Sequence, residues 1–174
     1  MTVAAVSAFM GAGTSSATET TGTRSPGSSQ PEFCATLVGA ATASDISPTL
    51  AEACSETSRA DAVDKMRAEA SHRGITAVAD TPLMIWYEHA DYKGFSNVIY
   101  GNAGRCDRSG YKINPNSYWA GNLSSIGRVD TCDKAFVYNT RIDFTETYTL
   151  SVPLLGAGLN DNVGRVKVFS SYWP

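Results

Sequence analysis

Aromatic residues are confined almost entirely to one part of this chain. Its six Phe, eight Tyr and three Trp include only Phe9 and Phe33 before Asp80, so the segment able to bury a sizeable apolar core starts there. From Leu83 to Pro174, runs rich in β-branched and aromatic residues (LMIWYEHA, FSNVIYG, AFVYN, TYTLSV, GRVKVFS) alternate with Gly, Asn and Ser turns. That alternation predicts an all-β C-terminal domain over residues 81–174, an antiparallel sandwich close to the ~100 residues such domains use.

Residues 31–80 are Ala-rich and nearly free of aromatics. The stretch SPTLAEACSETSRADAVDKMRAEASHRG predicts two helices. One starts at Ser47 with Pro48 in its first position; the other starts at Ser58, with Asp61 in an approximate capping box. The second helix puts Ala62, Val63, Met66 and Ala70 on one face and ends at Gly74. So thin a face gains little by packing alone, and the segment is expected to lean on the following domain or to serve as a pro-segment.

Residues 1–17 read as an export signal: the short apolar stretch VAAVSAFMGAG is followed by small residues, with a cleavage site after Ala17. No Lys or Arg precedes the stretch, which fits either a truncated signal or a chain start that lies downstream of the real one. It is too short to span a membrane, and the processed chain is expected to be secreted and free of membrane attachment. Residues 18–30, part of TSSATETTGTRSPGSSQ, read as a disordered linker. The formal net charge of -3 and pI near 5.3 supply no basic surface for phosphates, which argues against nucleic acid as a partner.

The cysteines fit an oxidising compartment. Cys34, Cys54, Cys106 and Cys132 contain no C-x-x-C pair, so two disulfides are expected rather than a zinc site. Three pairings are possible; Cys34 with Cys54 and Cys106 with Cys132 is preferred because each pair then lies inside one compositional segment.

Two further patterns bear on architecture. AGNLSSIGRV (120–129) and AGLNDNVGRV (157–166) match without a gap at a spacing of 37 residues, which implies two similar units. Each unit is expected to turn Ile126 or Val163 inward, with the following Gly turning the chain toward the next strand. In addition, Tyr87, Tyr92 and Gly94 have the spacing Y-x-x-x-x-Y-x-G, followed some thirty residues on by Ser124, Ser125 and Ile126. This spacing resembles the Greek-key signature of the βγ-crystallin superfamily. The resemblance implies a double Greek-key sandwich in which the first aromatic ring packs over a folded hairpin, the Gly takes a backbone angle that a Cβ would oppose, and the late Ser ties the hairpin down. The second unit offers Tyr138 and Phe144 as aromatic positions but no Gly after Phe144.

An export signal, a short Cys-containing segment and a disulfide-bridged crystallin-like domain together resemble secreted proteins of the Streptomyces metalloproteinase inhibitor family. That resemblance implies a non-enzymatic peptidase inhibitor acting on an extracellular protease. The superfamily also implies calcium, through the clamp N/D-N/D-x-x-S/T-S. Here the two leading positions are Ala-Gly in both copies, leaving Asn122, Ser124, Asn160 and Asp161 as weak candidate ligands for a site that needs many hard oxygens. No cofactor is required on this reading, and Ca2+ is an optional ligand only.

Catalytic patterns are poorly supplied. Glu88, His89 and Asp91 cluster in sequence, but Glu88 and His89 point to opposite faces of a strand. No G-x-S-x-G elbow or phosphate-binding Gly loop occurs. Binding is the better prospect, and the long connection GNAGRCDRSGYKINPNSYWA (101–120) offers Arg105, Arg108, Tyr111 and Lys112 as a protein-binding loop, Arg and Tyr being favoured at hot spots. Tyr111, Tyr118 and Trp119 equally suit a core position. Alternative roles are a structural or weakly calcium-binding envelope protein and a small secreted crystallin-fold toxin.

Overall fold

The computed structural model describes residues 32–42, 45–75 and 81–172, which form two β-sheets, two α-helices and a short 3-10 turn at Ala90–Tyr92; the expected export signal and linker lie outside the described residues. In chain order the elements are β1 (Phe33–Val38), β2 (Thr49–Ser55), α1 (Arg59–His72), β3 (Thr81–His89), β4 (Lys93–Gly101), β5 (Tyr111–Ile113), α2 (Ser117–Ala120), β6 (Ser125–Arg128), β7 (Lys134–Asn139), β8 (Thr145–Thr149) and β9 (Val163–Phe169). The first sheet has the order β2-β1-β4-β3-β6 and the second β5-β9-β7-β8. All pairings are antiparallel except β1 with β4.

The sheets exchange a strand. β5 follows β4 in sequence yet pairs with β9 in the second sheet, while Val152, in the connection from β8 to β9, bridges Ile126 of β6 in the first. Between the sheets lies the larger core, built around Met84, Trp86, Ile99, Trp119, Leu123, Ile126, Val137, Leu159, Val163 and Val166. Ile126 and Val163, equivalent in the repeat, are both fully buried as expected. Gly127 and Gly164 do not make turns, however; each lies inside a strand. A Cβ on Gly127 would come within 3.1 Å of the Tyr87 ring, and one on Gly164 within 2.4 Å of the Asn139 carbonyl oxygen, so close approach is what these glycines permit.

The segment before Asp80 departs from expectation at its start. Where Ser47 and Pro48 predict a helix, the chain forms β2, because Cys54 is bonded to Cys34 and the ladder with β1 runs from Phe33–Ser55 to Val38–Thr49. Tertiary pairing overrides the helical propensity of Leu-Ala-Glu-Ala. α1 forms where Ser58 predicts it, with the Ser58 hydroxyl accepting the Asp61 N–H at 3.1 Å and Ala62, Val63, Met66 and Ala70 buried. The capping box is not reciprocal. The Asp61 carboxylate accepts from Ser55 Oγ at 2.5 Å and Thr57 Oγ1 at 3.1 Å and pairs with Lys65, and the Lys65 and Ser55 contacts hold its pKa down at about 2. α1 lies on Ala35, Leu37 and Ala51, whose small or slim side chains let a helix approach; this makes a second, smaller core on the outer face of β1 and β2.

Candidate functional site

The two disulfides are Cys34–Cys54 and Cys106–Cys132, the preferred pairing. The first joins β1 to β2. The second fixes the loop between β4 and β5 against the start of β7.

Tyr87, Tyr92, Gly94 and Ser125 meet at the β3–β4 hairpin. The Tyr87 and Tyr92 rings pack edge to face at 5.7 Å, and Gly94 sits at φ +76, where a Cβ would come within 2.8 Å of the His89 ring. Ser125, fully buried, accepts the Tyr92 N–H at 3.1 Å and donates to the His89 carbonyl at 2.7 Å. These four residues close the β3–β4 hairpin against β6. The β7–β8 hairpin lacks such a set and is held instead by Asn139, whose Oδ1 accepts the Asp143 and Phe144 N–H groups at 3.1 and 3.2 Å.

Ser124 points elsewhere. Its hydroxyl donates to Asp161 Oδ1 at 3.0 Å, so equivalent positions of the two repeat copies touch one another. Asn160 Nδ2 donates to Asp161 Oδ2 at 2.8 Å, whereas Asn122 is turned away, donating to the Tyr118 carbonyl at 2.8 Å. Of the four weak calcium candidates, three converge, with one carboxylate among them. That is a thin donor set for an ion that takes about six to eight oxygens.

Glu88 and His89, expected on opposite faces of a strand, instead come together where the ladder register shifts between Tyr87 and His89, with His89 Nε2 3.8 Å from Glu88 Oε2, while Asp91 pairs with Lys93 at 3.9 Å and does not join them. Glu88 Oε1 accepts from the Tyr118 hydroxyl at 2.7 Å and Oε2 from the Phe95 N–H at 3.2 Å. Burial pulls the Glu88 pKa up, but these two bonds and the nearby His89 outweigh it, and the net value falls below the ordinary range. Burial, and then the same contact with Glu88, raise Tyr118 strongly. His89 and Asp91 are exposed.

The predicted binding loop divides in two. Tyr111 is buried, its hydroxyl donating to the Gly104 carbonyl at 2.7 Å, and Lys112 is turned against Asp45 with only 17 % of its side chain exposed. Both hold β5 in place rather than face a partner. Arg105 and Arg108 stay outside: Arg105 is 69 % exposed with only a long 4.0 Å pair to Asp130, and Arg108 is exposed at the turn. The backbone between them is fixed at several points. Cys106 is bonded to Cys132 and its N–H donates to Thr131 Oγ1 at 3.2 Å. Asp107 accepts the Gly110 N–H with its side chain at 2.7 Å and the Ser170 N–H with its carbonyl at 2.8 Å. At its two ends Asn102 N–H donates to the Val38 carbonyl at 2.8 Å, and Gly110, at φ +63, lies so close to β9 that a Cβ would meet the Val168 carbonyl oxygen at 2.1 Å.

A cleft opens on the inner face of β1 and β2, past the reach of the second sheet. It has a volume of about 220 Å³ and is lined by the Cys34–Cys54 disulfide, Glu52, Phe95, Asn116, Tyr118 and Trp119. A smaller pocket of about 100 Å³ adjoins it, sharing Glu52, Asn116 and Trp119 and adding Thr36 and Asn97. Asn116 caps α2 through Oδ1, which accepts the Trp119 N–H at 3.0 Å, and its Nδ2 donates to Glu52 Oε1 at 3.3 Å. The Glu52 carboxylate lies within 4.8 Å of both sulfurs, but bonded sulfurs have no thiolate to offer a metal. Glu52 escaped the sequence reading because a helix was expected there; the Cys34–Cys54 pairing, read as a cross-strand pair, would have placed Glu52 beside it on the same face.

No described helix is long and apolar enough to cross a membrane. Comparison with protein-family models, with curated proteins and with solved structures finds no match to this chain.

Proposed function

We propose that this chain is a secreted, non-enzymatic binding protein of double Greek-key, βγ-crystallin-like architecture that inhibits an extracellular peptidase through the loop 102–110. The architectural reading is supported by the exchange of β5 and Val152 between the sheets and by the Tyr87, Gly94 and Ser125 hairpin lock. Two disulfides support export, since such bonds persist in oxidising compartments. One observation carries the functional reading: Arg105 and Arg108 are exposed on a backbone anchored at Cys106, Asp107 and Gly110. A loop already held in its bound shape loses less entropy on docking, and arginine is a favoured anchor for a deep acidic specificity pocket.

The test is complex formation. The oxidised full chain is mixed with extracellular metallo- and serine proteases and each mixture is sized by chromatography with light scattering. A one-to-one complex with a protease that cleaves after basic residues is the expected result; absence of a complex with every protease class overturns the reading.

A further inference from the structure

We infer that the cleft between β2 and α2 is a second binding site, one that accepts an arginine side chain from an extended segment of a partner protein. The inference is independent of the inhibitory loop. Among the residues lining the cleft and its adjoining pocket, Glu52 is the one charged group, and no Lys or Arg lines either. Among the described residues its carboxylate has one hydrogen bond, the 3.3 Å contact from Asn116, which leaves lone pairs on both oxygens for a donor. Glu52 itself is solvent-exposed at the mouth of the cleft, and partial desolvation of its carboxylate by the neighbouring surface still shifts its pKa upward.

Around this carboxylate the surfaces are apolar. Phe95, Tyr118 and Trp119 pack on one another with ring centroids 5.0 to 5.4 Å apart, and the disulfide forms the opposite wall. A flat guanidinium on an apolar stem matches this combination: the stem lies along aromatic and sulfur surface, the cation is attracted to the rings, and the fork of donors meets a carboxylate. A lysine ammonium, compact and strongly hydrated, matches it less well. The walls are already fixed. Tyr118 is held by Glu88 at 2.7 Å, Asn116 by the Trp119 N–H at 3.0 Å, and Thr36 and Asn97 by each other at 2.9 Å. Access is lateral, because β2 is the edge strand of its sheet and a partner segment can approach without displacing an element of this one.

The probe is the peptide acetyl-Gly-Arg-Gly-amide, titrated into the oxidised full chain and followed by the NMR shifts of the Asn116 side-chain amide and the Trp119 indole. Its citrulline counterpart, neutral and nearly isosteric, is the comparison. The expected result is saturable shifts at both groups, with the citrulline peptide at least about tenfold weaker and the lysine peptide in between. In Glu52→Gln, which keeps an oxygen for Asn116, the preference for arginine over citrulline is expected to vanish. Absence of saturable shifts, equal binding of the arginine and citrulline peptides, or an unchanged preference in Glu52→Gln overturns the inference. The citrulline comparison uses unaltered protein and so does not depend on any variant folding, and no protease enters the assay, so its failure is distinct from failure of the inhibitory reading.

Discussion

Adjacent serines in SerSerIle should differ several-fold in what they contribute to stability. Ser125 is completely buried and makes two hydrogen bonds across the β3–β4 hairpin, to Tyr92 N–H at 3.1 Å and His89 C=O at 2.7 Å. Ser125→Ala removes both, at about 1 kcal/mol net each, and strands two backbone groups next to a buried methyl. Tyr92 and His89 are partly exposed, so water can reach them and the stranding penalty stays at the low end; the total is about 2–3 kcal/mol. For a chain of this size that lowers Tm by roughly 5–10 °C. Ser124 makes one side-chain bond, to the exposed carboxylate of Asp161, and Ser124→Ala should cost only about 0.5–1 kcal/mol. Urea unfolding of the oxidised proteins measures both, with unchanged m-values confirming that native stability moved. Equal costs for the two variants, or a Ser125→Ala cost within about 0.5 kcal/mol of zero, would refute the hairpin-lock argument.

Other expectations follow from the same geometry. Met66→Ala should destabilise the whole protein by about 3 kcal/mol, because Met66 is fully buried between α1 and the first sheet; calorimetry showing an unchanged main transition would mean α1 is not part of the cooperative unit. Glu88, whose folded pKa is lowered, contributes stability that is present above its unfolded value near 4.5 and lost as pH falls through the folded value. Tyr118→Phe removes its main hydrogen bond, so the acid-unfolding midpoint should move to higher pH, and an unmoved midpoint would contradict the assignment. Burial and the hydrogen bond to Glu146 raise Tyr148 to about 12, so its contribution is full below pH 10 and lost as pH rises through that value. Ultraviolet titration should find late-ionising tyrosines that include Tyr148 and Tyr118, with the late amplitude smaller by one residue in Tyr148→Phe. With one carboxylate at the Ser124–Asp161 corner, 1 mM calcium should shift Tm by less than about 1 °C, and a larger rise would show ligands beyond those that converge there.

What the sequence displays plainly is what local chemistry controls. The β-rich runs after Leu83 became strands, Tyr87, Gly94 and a late Ser converge on the first hairpin, and Ser58 starts α1. What it conceals depends on pairing between distant segments. Thr49–Ser55 has helical composition and becomes a strand only because β1, 20 residues before Cys54 at its disulfide, provides a ladder. The same concealment hid the cleft, since Glu52 meets Asn116 across 64 residues of sequence. Within residues 101–120 composition pooled Arg, Tyr and Lys into one binding loop. Folding separated them, because an aromatic ring and a long aliphatic stem gain more by lining β5 than a guanidinium does, leaving Arg105 and Arg108 at the surface.

The proposed engagement of an extracellular protease by the exposed, anchored pair Arg105 and Arg108 is tested most directly by titration. Residual activity of a protease that cleaves after basic residues is titrated with the oxidised chain, with Arg105→Ala, with Arg108→Ala and with Lys112→Ala. The expected result is saturation at a one-to-one ratio, a loss of at least about thirtyfold in one arginine variant, and little change in Lys112→Ala because that side chain is already turned against Asp45. No inhibition, or inhibition indifferent to both arginines, would contradict it.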